Sequence, residues 1–129
     1  MISGLDHANV RTARLDEMIA WYGEVLGLTV GWRPPSFDFP GAWLYAEGQA
    51  LVHLVGVDET DAPTSGIQLE HAAFRATGYA GFIQKLDQRG ERYRLSHVAD
   101  AGLVQVNIWA PDGNHLHIDF SDDEPGATG

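Results

Sequence analysis

The segment Leu5–Thr12, LDHANVRT, returns as Leu69–Ala76, LEHAAFRA, so the pattern L-[D/E]-H-A-x-[V/F]-R occurs twice, 64 positions apart. The same offset carries His53 onto His117 without a gap. A duplication of this kind constrains the fold more than composition does, because whatever one copy forms the other has to form as well.

The local signals repeat too. Leu15, Met18, Ile19, Tyr22 and Leu26 follow the first histidine at helical spacing, with Asp16 and Glu17 in the first turn, where the helix dipole favours acids, and Gly27 placed for a left-handed cap. Tyr79, Phe82, Ile83 and Leu86 follow the second, with Thr77 able to cap the start and Gly90 the end. Three strand-like runs come after each helix. They lie near Leu28–Arg33, Ala42–Ala46 and Ala50–Val55, and near Arg92–His97, Leu103–Ala110 and His115–Phe120. Asp112-Gly113-Asn114 is a strong turn signal, and Glu47-Gly48-Gln49 occupies the matching place. Arg33-Pro34-Pro35-Ser36 through Pro40 predicts an irregular loop, because adjacent prolines break strand pairing.

The predicted fold class is therefore α+β, with two tandem βαβββ modules in one domain spanning 1–129. Module 1 covers about 4–56, a polar linker with Pro63 and Gly66 about 57–66, module 2 about 67–121, and an acidic tail 122–129 that reads as a loose end. A ferredoxin-like α+β sandwich is the alternative.

Composition narrows the partners. A hydrophobic fraction of 44% supports a core, and 20% charged residues argue against wholesale disorder. The net charge of -10 argues against nucleic acid and anionic membranes, which require basic patches. With no cysteine, any metal has to be held by histidine or carboxylate. No basic, apolar leader opens the sequence and no apolar run approaches bilayer length, so a cytoplasmic protein is expected.

Residues two apart on a strand share a face, so His115, His117 and Asp119 face one way and Leu116, Ile118 and Phe120 the other. His53 shares its face with Leu51 and Val55. A lone histidine in an apolar strand is ordinarily a core residue with one hydrogen bond. Here the repeat changes the reading. His7, His53, His71 and His117 occupy two positions in each copy, and pairing the copies would gather four imidazoles on one divalent ion. His97 reads as a surface residue. His115, whose counterpart is Leu51, reads as pocket or rim rather than ligand.

Leu5-Asp6-His7, the helix from Trp21-Tyr22 through Leu26-Gly27-Leu28, Leu69-Glu70-His71 and Ala110-Pro111-Asp112-Gly113-Asn114 together resemble the vicinal oxygen chelate superfamily. That group includes glyoxalase I, extradiol dioxygenases, methylmalonyl-CoA epimerase, fosfomycin-resistance transferases and bleomycin-resistance proteins. The segment Arg33 to Leu44 is similar to a glyoxalase-I-like subgroup. The resemblance covers nearly the whole chain and implies a curved mixed sheet around a metal site, with ligands from the first and last strands of each module. His7, His53, His71 and His117 fill those places. The departure is His117, where the family usually carries Glu.

The resemblance further implies a divalent metal (Zn, Ni, Fe, Mn or Co) with adjacent positions open to vicinal oxygens of a small substrate. Four neutral imidazoles leave the ion its full charge and favour an anionic one. The leading expectation is a metal-dependent lyase or isomerase of glyoxalase type. An Fe(II) ring-cleaving dioxygenase and a non-catalytic drug- or metabolite-binding protein stay open. Asn9, Trp43, Trp109, His115 and Asp119 are the candidate pocket residues. Trp32 joins Trp43 and Trp109 as cavity walls in the binding-protein reading, and ordinary packing is the bland reading for these rings. Asp119 and a ligand histidine that leaves the metal are both candidates for the base, and none is assigned. A homodimer is expected by analogy.

Overall fold

The computed structural model describes residues 1, 3–60 and 68–128, so Pro63 and Gly66 of the predicted linker lie outside the described residues. The chain divides into two compact units, Met1–Ala62 and Pro63–Gly129.

In the first unit the order is β1 (Ala8–Thr12), α1 (Leu15–Leu26), β2 (Thr29–Gly31), β3 (Gly41–Ala46) and β4 (Gln49–Gly56). The strands form a mixed four-stranded sheet in the order β1-β4-β3-β2, with β1 parallel to β4 and the rest antiparallel. The second unit repeats this with β5 (His71–Arg75), α2 (Tyr79–Arg89), β6 (Tyr93–Val98), β7 (Leu103–Trp109) and β8 (His115–Ser121), in the order β5-β8-β7-β6. This α+β architecture of βαβββ units matches the sequence expectation.

Each sheet buries one face against its helix. In the first unit Met18, Trp21, Tyr22 and Val25 of α1 are buried, as are Ala42, Leu44, Val52 and Leu54 of the sheet. In the second, Val104, Val106, Ile108, Leu116, Ile118 and Phe120 supply the buried face. The Tyr79 and Phe82 rings of α2 pack on Phe120 at 5.6 and 5.5 Å. Strand alternation then turns the intervening residues, including every predicted strand ligand, to the opposite face.

Gly27 ends α1 in the left-handed conformation, φ 73°. Its N–H donates to the Gly23 carbonyl and the Leu28 N–H to that of Tyr22. Gly90 ends α2 at φ 69°. The start of α2 differs from expectation. Thr77 makes no cap; the Glu124 carboxylate accepts from the N–H groups of Gly78 and Tyr79 at 2.9 and 2.8 Å. This corrects the reading of the acidic tail as a loose end. Asp122 also holds His97 Nε2 at 2.9 Å, and Ala127 is buried.

Candidate metal centre

The two ladders place equivalent residues at equivalent points. In the first unit Asn9 pairs with His53 and His53 with Trp43. In the second Ala73 pairs with His117 and His117 with Asn107, each 64 positions on. These rows lie on the sheet face turned away from the helix. His53 and His117 are buried at 8% and 7% exposure although they stand on that open face, because neighbouring rings cover them.

In the first unit the structure brings His7 and His53 together, with ring centroids 3.8 Å apart and planes 11° from parallel. Trp43 stacks on the other side of His53 at 3.9 Å. Imidazole lone pairs lie in the ring plane, so stacked rings direct them along separate planes. His7 and His53 share an ion only once one ring tilts out of the stack. Asn9, the outer member of this row, is exposed. In the second unit His71 and His117 approach to 4.4 Å with rings tilted by 44°, and His115 lies 5.3 Å from His71. Trp109 stacks on His115 at 5.3 Å, and the Arg92 guanidinium covers Trp109 at 3.8 Å.

Second ring nitrogens decide which nitrogen a histidine offers. His7 Nδ1 meets Asp6 Oδ2 at 2.8 Å, His71 Nδ1 meets Glu70, and His117 Nδ1 meets Asp119 Oδ1 at 2.6 Å. Each contact leaves Nε2 as the available donor, the arrangement in which a carboxylate orients a ligating imidazole. The His117–Asp119 pair is largely shielded from solvent, whereas Asp6 is almost fully exposed and holds His7 weakly. Among the described residues no carboxylate is hydrogen-bonded to His53, on which Asp6 acts only through its charge. Burial lowers the His53 pKa, the nearby His7 lowers it further, and a backbone hydrogen bond to Ala50 partly opposes both. The neutral ring that results is the form that binds metal.

A second donor set was not foreseen. Glu70, His71 and His115 carry potential ligand atoms within 4.8 Å of one another, a Glu/His/His cluster of a kind that holds metals. Hydrogen bonds from His71 and His115 hold the Glu70 carboxyl below its usual range. His115, however, already uses both nitrogens: Nδ1 meets Glu70 Oε1 at 2.9 Å and Nε2 meets Asn107 Oδ1 at 2.8 Å. A ligand needs one nitrogen unshared, so geometry favours His71 and His117 as donors and His115 as a hydrogen-bonding neighbour. Asn107 in turn donates to the Arg94 carbonyl at 3.1 Å. Sequence reasoning missed Asp6, Glu70 and Asn107. The repeated acid before each repeat histidine was the available signal for the first two; nothing local marked Asn107.

Asp119 also lines a cavity of about 600 Å³ in the second unit with Phe74, Arg75, Thr77, Gly102 and Glu124. Among the predicted site residues only Asp119 borders it, so it is not the histidine site. Among the described residues no helix is long and apolar enough to cross a membrane.

A family model described as the Glyoxalase/Bleomycin resistance protein/Dioxygenase superfamily matches residues 4–127. The chain is 28% identical to Glyoxylase I 4 of Arabidopsis thaliana over 130 residues, covering 96% of this chain and 74% of that protein. It is similar to the crystal structure of a glyoxalase family protein from Bacillus anthracis, with TM-score 0.77, 22% identity, and coverage of 94% and 97% of the two chains. It is also similar to lactoylglutathione lyase from Agrobacterium tumefaciens, with TM-score 0.67, 18% identity, and coverage of 92% and 94%. At these identities the two structures establish a common fold.

Proposed function

Because the chain belongs to the Glyoxalase/Bleomycin resistance protein/Dioxygenase superfamily, we propose that it is a metal-dependent lyase or isomerase of glyoxalase type. In this reading His7, His53, His71 and His117 are the ligands of a divalent ion, and a small substrate binds through adjacent oxygens. One observation supports it above the others. Three of the four histidines have Nδ1 engaged by a carboxylate, from Asp6, Glu70 and Asp119, so the same nitrogen, Nε2, is offered each time. The donor set fits a borderline metal such as zinc, nickel or cobalt.

When bound, the ion supplies Lewis acidity that stabilises an enolate-like or oxyanion charge on the substrate. The residues of the chain do the rest. Asp119 fixes the His117 ring, which favours an orienting role for that carboxylate over a free base. Burial keeps His53 neutral. Asn107 and Glu70 clamp His115 at the edge of the site. Trp43 and Trp109 cover His53 and His115 and limit water at the site.

The test is elemental analysis of protein purified without chelator, followed by a hemithioacetal assay. Zinc, nickel or cobalt together with loss of the hemithioacetal signal is the expected result. His71→Ala should lose most of its metal while His97→Ala, whose ring pairs with Asp122, retains it. Equal retention by both variants removes the ligand assignment.

The second reading is an Fe(II) ring-cleaving dioxygenase, whose two-histidine, one-carboxylate donor type Glu70, His71 and His115 match once His115 releases Glu70 or Asn107. Iron in the purified protein with oxygen uptake on catechols would select it.

A further inference from the structure

The loop Trp32–Pro40 carries aromatic rings into solvent beside His53. Trp32 is 65%, Phe37 38% and Phe39 41% exposed. They form a connected set: Trp32 and Phe37 meet the Trp43 ring edge-on at 5.9 and 6.1 Å, and Phe39 stacks with Phe37 at 5.2 Å. Trp43 lies flat on His53. A contiguous aromatic shelf therefore runs from a candidate metal ligand out to the surface, all within the first unit.

The shelf is built rather than accidental. Tyr45 Oη donates to the Trp32 carbonyl at 2.6 Å and ties the loop to β3. Arg33 donates to the Phe39 carbonyl at 2.8 Å, and its guanidinium lies 4.7 Å from the Phe39 ring centre and 5.3 Å from that of Phe37. Two glycines make room for these ties. A Cβ at Gly31 would stand 2.5 Å from the Tyr45 ring, and one at Gly41 would stand 2.5 Å from the Leu54 carbonyl and 2.8 Å from Arg33. Pro34 and Pro35 remove backbone freedom from the loop. Large apolar side chains held in water at a fixed place mark a binding surface.

We propose that this shelf is a substrate subsite for an aromatic or other planar apolar group, carried by the same molecule whose adjacent oxygens reach the metal. The inference rests on the reading that His53 holds the metal, and it names the substrate class: a vicinal-oxygen chelator bearing a ring. Trp43 is the junction, since its ring touches both His53 and the loop aromatics.

The probes are two chelators with the same pair of oxygens, acetohydroxamate and benzohydroxamate, titrated into zinc-loaded protein by calorimetry. The expected result is a preference for benzohydroxamate of on the order of tenfold or more beyond that of free zinc, from burial of its ring. Trp32→Ala and Phe39→Ala should each collapse that ratio several-fold while the protein stays folded with only a small loss of thermal midpoint, because both side chains lie in a surface loop outside the core. Equal affinities, or a ratio indifferent to both substitutions, overturn the shelf alone. Failure of both hydroxamates to bind overturns the metal reading and the shelf with it. If Trp32→Ala turns a dimer into a monomer and leaves the ratio unchanged, the shelf belongs to a second copy of the chain and the subsite is refuted.

Discussion

The same residue type plays different parts along this chain, and its neighbours decide which. His53 sits between two rings on an otherwise open face, so its charged form loses hydration and meets the charge of His7. Its pKa is therefore held below its ordinary value of 6.5. A group that is harder to protonate in the folded state contributes its full stability above the unfolded pKa. That contribution is lost as pH falls through 6.5 toward the folded value, because the unfolded chain takes up the proton first. Chemical denaturation of metal-free protein should show stability falling between pH 7.5 and 5.5, and a shallower fall in His53→Leu. An identical slope in the variant removes His53 as a source. His97 and His115, which the sequence sets apart from the ligand candidates as surface and rim, are engaged elsewhere: Asp122 holds one and Glu70 with Asn107 saturates the other.

At the scale of elements, the two copies agree in the strands that carry the histidines and diverge elsewhere. The rows Asn9–His53–Trp43 and Ala73–His117–Asn107 keep the 64-residue offset. By contrast α1 has 12 residues and α2 has 11, and the pairing of β6 on β7 is displaced by one residue from that of β2 on β3. The hairpins differ as well. Glu47 and Gly48 both take positive φ, closing a two-residue turn with a bulge at Leu44/Tyr45, while the longer Pro111–Asn114 turn has Gly113 alone at positive φ and joins strands whose register runs without a shift. The cap on α2 comes from Glu124, a residue remote in sequence. Glu124→Ala should cost about 1 kcal/mol of stability, while Glu124→Gln, which keeps the acceptor and loses the charge, should cost only a few tenths. Denaturant midpoints measure both, and an unchanged midpoint in Glu124→Ala would mean that the tail contributes nothing to α2.

For the molecule as a whole, a metal that binds only the folded chain links ligation to stability. At about 100 times its dissociation constant, free zinc should add roughly 2.7 kcal/mol, and chelator should reverse the gain. Thermal melts with and without zinc read this directly, and His117→Ala should respond far less than the parent. Much of this was legible in advance. The repeat, the helix periods, Gly27 and Gly90 as stops, and strand alternation are local or periodic signals, and such signals survive in a linear reading because they depend on neighbours a few residues away. On that basis the sequence by itself determined the βαβββ units, the two faces of the last strand and the family. Tertiary structure alone decided that Trp43 stacks on His53, that Asn107 and Glu70 occupy both nitrogens of His115, and that Glu124 closes the start of α2. The Glu70–His115 and Glu124–Tyr79 contacts join residues 45 apart, and the other two cross between neighbouring strands. They follow from strand register and from where the chain returns in space, and no local pattern encodes either.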